Sequence, residues 1–144
     1  MNRILACTLF IFILLSCKKN GSSTNLSSML VSVDGDTAVA FNQISVSNLS
    51  GNYYITATRS STNEKINLTI TCYSGSKAYL IQNTGIGINS NESYASYTGT
   101  ITGFVAENGE IVVTKQISNY IYGTFYFYTS PSGSVSGSFV VPQP

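Results

Sequence analysis

Three cysteines, six carboxylates and ten tyrosines are the side chains here with chemistry beyond packing, and the 144 residues include no histidine. The cysteine with the most specific surroundings is Cys17. It closes the run Leu14-Leu15-Ser16-Cys17, with a leucine three positions before the thiol and a small residue directly before it. That spacing is a bacterial lipobox. Its chemistry is a thioether from the thiol to diacylglycerol, then cleavage that leaves Cys17 as the first mature residue. Cys7 lies inside the leader. Cys72 is then left with no intramolecular cysteine partner, although the expected compartment is oxidising. It falls on the same alternating face as Ile66, Leu68 and Ile70, so a buried thiol acting as a small hydrophobe is expected. A nucleophilic role would need a base, and there is no histidine to act as one.

The carboxylates are Asp34, Asp36, Glu64, Glu92, Glu107 and Glu110. All fall in expected turns or beside them, where solvated charge is the ordinary role. Glycoside hydrolysis needs two carboxylates facing each other across a cleft, and the sequence identifies no such pair. Asp34-Gly35-Asp36 could offer oxygens to calcium, but the spaced ligands of a calcium loop are missing. The ligand sets of transition-metal sites are missing too, as are a phosphate-cradling loop and a nucleophile elbow. The expectation is a non-enzyme with no catalytic residues, no cofactor and no metal. Charged residues make up only 9% of the chain, and the seven basic side chains are reduced to six once Arg3 leaves with the leader. With no basic stripe, nucleic acid is not a partner.

The elements that position these groups begin with the leader. Residues 1–16 have a basic start at Arg3, a 12-residue apolar run from Ile4 to Leu15 and the small Ser16, which is the layout of a secretory signal. A membrane-crossing helix needs about 20 residues, so an uncleaved anchor is the weaker alternative. Residues 17–28 are the lipidated cysteine and a polar tether, with Leu26 the lone apolar side chain from Asn20 to Ser28. Such a stretch cannot offset the entropy of ordering itself. Residues 29–144 make one domain.

From Met29 on, the pattern has period two. In Ile66-Asn67-Leu68-Thr69-Ile70-Thr71-Cys72 every even position is apolar, the mark of a strand with one buried face. Strands are expected at Met29–Val33, Ala38–Asn42, Ile44–Val46, Tyr53–Arg59, Lys65–Cys72, Ala78–Gln82, Ser93–Thr98, Gly99–Ala106, Ile111–Gln116, Tyr120–Thr129 and Ser134–Val141. Asn108-Gly109 between apolar runs reads as a hairpin, and Asn83–Asn91 as an irregular loop. The expected fold is all-β, an antiparallel β-sandwich of about ten short strands, with a flattened β-barrel as the alternative.

In Tyr120–Tyr128, Ile121, Phe125 and Phe127 share one face with Gly123, while Tyr120, Tyr122, Tyr126 and Tyr128 share the other. The first face belongs in the core. The second is a row of apolar rings with polar tips. It is either a ligand-binding surface for a glycan, small molecule or protein, or a ladder packed by its neighbours. Gly-[Ser/Thr]-apolar triplets recur at Gly99, Gly123 and Gly137, where small residues would let strands bend or approach closely.

In order along the chain come Val33-Asp34-Gly35, then Gly99-Thr100-Ile101 leading to Ile111-Val112-Val113, then Ile121-Tyr122-Gly123-Thr124-Phe125-Tyr126-Phe127, and lastly Val135-Ser136-Gly137-Ser138-Phe139. This succession resembles small Bacteroidota-type lipoproteins that share a domain of unknown function. The resemblance implies a β-sandwich tethered to the outer membrane by acyl chains on Cys17, and it brings no functional residues with it. No acidic run follows Cys17, which favours the periplasmic side over the cell surface. The expected partners are the membrane, through Cys17, and an envelope protein or glycan.

Overall fold

The alternating pattern becomes ten strands: β1 (Ser28–Val33), β2 (Val39–Phe41), β3 (Gln43–Leu49), β4 (Asn52–Arg59), β5 (Glu64–Ile70), β6 (Ala78–Gln82), β7 (Tyr94–Thr98), β8 (Gly103–Ile117), β9 (Tyr120–Thr129) and β10 (Gly133–Pro142). The structure is a computed structural model, and it describes residues 26–83, 92–99, 103–130 and 133–143. The leader and Cys17 lie outside the described residues, as does 84–91 of the expected loop.

The strands form one antiparallel sheet in the order β2-β1-β10-β9-β8-β7-β5-β4-β3, with β6 paired to β8. The two ends of that order, β2 and β3, are consecutive in the chain, with only Asn42 between them. Asn42 also bridges the gap. Its N–H donates to the Thr58 carbonyl on β4 at 3.2 Å, and its side chain exchanges hydrogen bonds with Ser60. The sheet therefore curls until its edges nearly meet. It is barrel-like, the second of the two expected arrangements, rather than two separate layers.

Inside the barrel the apolar faces meet in one core. Ile66, Leu68 and Ile70 of β5 pack with Ile55 and Ala57 of β4, Phe125 and Phe127 of β9, and Val31 of β1, all at 2% exposure or less. A membrane-spanning barrel has the opposite alternation, apolar outward and polar inward. No helix among the described residues is long and apolar enough to cross a membrane. Two hairpins close through left-handed residue pairs, Ser50 (φ 53°) with Gly51 (φ 80°) and Ser118 (φ 47°) with Asn119 (φ 66°). Both φ values are positive, as a type I′ turn requires.

The hairpin expected at Asn108-Gly109 does not exist. Both residues lie inside β8, which runs unbroken for 15 residues. The first part of β8 pairs with β7 and the rest with β9 and β6, with a register shift between Ala106 and Asn108. Gly109 serves that irregularity. Its φ is +152°, and a Cβ there would lie 2.2 Å from the Tyr126 carbonyl oxygen. The glycine that signals a turn in sequence here permits a β-bulge.

The Gly-[Ser/Thr]-apolar triplets have a packing cause on β9 and β10. Gly123 is opposite Phe139, and Gly137 is opposite Phe125. A Cβ on Gly123 would be 2.3 Å from the tip of the Phe139 ring, and one on Gly137 would be 2.5 Å from the tip of the Phe125 ring. Each glycine is the seat for a phenylalanine of the neighbouring strand. In the third triplet, Thr100 and Ile101 lie outside the described residues.

Candidate functional site

The tyrosine row on β9 is where alternation places it. Ile121, Phe125 and Phe127 are buried, and Tyr120, Tyr122, Tyr126 and Tyr128 all face outward on the same strand. Tyr126 and Tyr128 are 43% and 54% exposed, with ring centroids 6.0 Å apart in an edge-on arrangement. Tyr122 lies under the Lys115 ammonium, 4.5 Å from the ring centroid. No loop of the described residues covers the two exposed rings. The row is on the outer, convex side of the sheet. Beside it, in register across β6-β8-β9, stand Leu80, Glu110 and Tyr126.

The ten tyrosines divide by what their hydroxyls do. Tyr53 donates to the Pro142 carbonyl, Tyr79 to the Gly75 carbonyl at 2.7 Å and Tyr97 to Glu64 Oε1 at 2.7 Å. Tyr73 accepts from the Gln116 amide. These four tie the barrel's turns and ends together. Burial raises the Tyr53 phenol well above its ordinary value. Burial, reinforced by Glu64, pushes Tyr97 up to about 12. The other six tyrosines have hydroxyls with no hydrogen-bond partner among the described residues.

Two of those six line a groove of about 460 Å³ on the outer face of β4, β5 and β7. Tyr54 is opposite Thr69, and Thr69 is opposite Tyr94, so the three form one rung. Asn52, Thr71 and Cys72 close one end beside the Ser50-Gly51 turn. That wall is pinned. The Thr71 hydroxyl donates to the Glu92 carbonyl at 2.6 Å, the Thr71 N–H donates to Ser93 Oγ at 3.2 Å, and the Cys72 N–H donates to Asn52 Oδ1 at 3.1 Å.

Cys72 is not the buried hydrophobe expected from its alternation. β5 ends at Ile70, Thr71 is buried instead, and Cys72 takes a left-handed conformation with φ 51°. The pleat stops there, so its side chain no longer follows the even-numbered face, and Cys72 is exposed.

A smaller hollow of about 280 Å³ lies where β1 and β2 approach β4, β5 and β7. Glu64 is held there by Arg59 at 3.0 Å, by the Thr62 hydroxyl at 2.5 Å and by Tyr97. The hydrogen bonds from Thr62 and Tyr97 keep its carboxyl below the usual range. Glu64 is thus a built-in acceptor rather than the solvated turn charge expected. Asp34 likewise accepts the Ser134 N–H at 2.7 Å, which ties the end of β1 to β10. Among the described residues no cluster of three or more His, Cys, Asp or Glu is arranged to hold a metal ion.

Comparison with protein-family models, with curated proteins and with solved structures gives no match to this chain. Fold and surface together define a class no narrower than an all-β, nearly closed barrel with outward tyrosines whose hydroxyls have no hydrogen-bond partner among the described residues.

Sequence reasoning found the β9 row because a single strand carries it. It missed the groove, whose residues come from three strands. Tyr54, Thr69 and Tyr94 belong to three different strands, and what sets them side by side is the β4–β5 and β5–β7 register.

Proposed function

We propose that this chain is a lipid-anchored protein of the bacterial cell envelope, held at the outer membrane through acyl chains on Cys17, with its barrel on the periplasmic side. It carries no catalytic machinery and works by engaging an envelope protein through the outer face of β9 and its neighbours. The observation that carries this reading is the composition of that face. Exposed Tyr126 is in register with exposed Leu80 across Glu110, and exposed Tyr128 follows on the same face, while the charged residues of β8 along β9 are Glu107, at the bulge, Glu110 and Lys115. Aromatic enrichment with charge depletion marks the core of protein interfaces. The lipobox and the Bacteroidota-type resemblance supply the address.

Two experiments test it. In the first, Cys17→Ser removes lipid labelling and releases the protein from membranes. A variant that keeps its unprocessed mass and stays membrane-bound contradicts the anchor. In the second, a photo-crosslinking residue at position 126 or 128 captures a discrete envelope protein in living cells. The same residue at position 67, on the opposite part of the sheet, does not. Equal capture from both positions would refute the interface.

A further inference from the structure

The groove over β4, β5 and β7 has the features of a ligand site, and neither the anchor nor the β9 row accounts for it. Neighbouring strands lie about 4.8 Å apart, so Tyr54 and Tyr94, two strands apart, leave the sheet about 10 Å from each other. A flat ring between two aromatic faces needs a contact gap of about 3.5–4.0 Å on each side, and this spacing accommodates one. Thr69 is the floor. The volume of about 460 Å³ lies within the range of about 300–1,000 Å³ found for small-molecule sites.

The chemistry of the lining narrows the ligand. Ser50, Asn52, Tyr54, Thr69, Thr71 and Tyr94 are all neutral. A charged ligand would lose hydration with no charged side chain among the described lining residues to compensate it. Yet the lining is not purely apolar. The hydroxyls of Tyr54, Thr69 and Tyr94 and the amide nitrogen of Asn52 have no hydrogen-bond partner among the described residues. A purely aromatic ligand would cover those groups and leave them unmatched, at a cost. A pyranose ring fits both demands, with C–H faces for the tyrosine rings and a rim of hydroxyls for the polar groups. We propose that this groove binds a neutral sugar ring as part of an oligosaccharide. The proposal stands apart from the protein interface on β9, and each can fail without the other.

The test is calorimetric titration of the full, lipid-anchored chain in a detergent without a sugar headgroup. The probes are chitotriose, cellotriose and maltotriose, with trigalacturonate and indole as comparisons. At least one neutral trisaccharide binds saturably, and more tightly than trigalacturonate or indole. If chitotriose binds best, the source is N-acetylated glycan of the kind in bacterial walls. If a plain glucoside does, the source is polysaccharide from outside the cell. Tyr54→Ala and Tyr94→Ala each weaken binding about ten-fold, whereas Tyr126→Ala leaves it unchanged. Thr69→Phe fills the floor and abolishes binding, which keeps the test decisive should an alanine variant fail to fold. The proposal is overturned if no neutral trisaccharide binds, if indole or trigalacturonate binds more tightly, or if Thr69→Phe and the folded alanine variants bind as the parent does.

Discussion

The β9 row and the β4-β5-β7 groove use the same side chain on the same outer surface, and they differ in relief. The row stands on a strand whose inward face buries Ile121, Phe125 and Phe127 in the core. It projects, so its rings meet a partner only if that partner brings a surface to them. In the groove, Tyr54 and Tyr94 stand on either side of a small residue, and the wall around Cys72 closes one end. Four exposed or half-exposed tyrosines in line make an interface candidate. Two tyrosines one strand either side of a threonine make a slot. Exposure alone does not distinguish them; what lies between the rings does.

The sharpest way to break this comparison is to show that the β9 row is not a surface at all. Phe125→Ala empties a core position and is expected to cost about 3–5 kcal/mol in chemical denaturation. Tyr126→Ala, the next residue on the opposite face, is expected to cost less than about 1 kcal/mol. Equal losses would mean the two faces are misassigned. A somewhat smaller effect is expected at the glycine seats. Gly123→Ala forces a methyl against the Phe139 ring and the Val112 carbonyl and is expected to cost about 1–3 kcal/mol. The neighbouring outward substitution Thr124→Ala should stay within about 0.5 kcal/mol.

These faces were legible from the sequence because a strand's alternation is local. The bounds of β6 and β9 agree with expectation, and the buried set on β5 follows its even positions as far as Ile70. Three features were not legible, each for the same kind of reason. Asn108-Gly109 has the dipeptide of a hairpin, but β8 is held on both sides along its middle, by β6 and β9, and long-range pairing overrides turn propensity. Cys72 continues the alternation in sequence, but the chain leaves the sheet two residues after β5 ends. The groove depends on the β5–β7 pairing, which joins segments separated by 23 residues. Barrel closure is of this kind as well, since only the finished strand order shows that β2 and β3 are both edges.

The smallest predicted effects compare tied and untied tyrosines. Tyr97→Phe removes the donor to Glu64 Oε1 and is expected to cost about 1.5 kcal/mol, the low end of the range for hydrogen bonds to charged groups because the pair is only part-buried. Tyr54→Phe removes a hydroxyl with no described partner and is expected to be nearly neutral for stability while weakening the groove. The two also separate in alkali. The Tyr97 phenol is raised to about 12 in the fold, against about 10 when unfolded. A raised phenol means the fold holds its proton more tightly than the unfolded chain does. Its contribution is therefore full below pH 10 and is lost as pH rises from 10 through 12. Thermal melts of the parent should fall across that window. Tyr53, raised by burial in the same sense, keeps some of that slope in every variant. Tyr97→Phe should make the fall shallower, and Tyr54→Phe should leave it as it is. An unchanged slope in Tyr97→Phe would show that the Tyr97–Glu64 contact does not hold this end of the barrel, and that the division of the tyrosines by their hydroxyls is drawn in the wrong place.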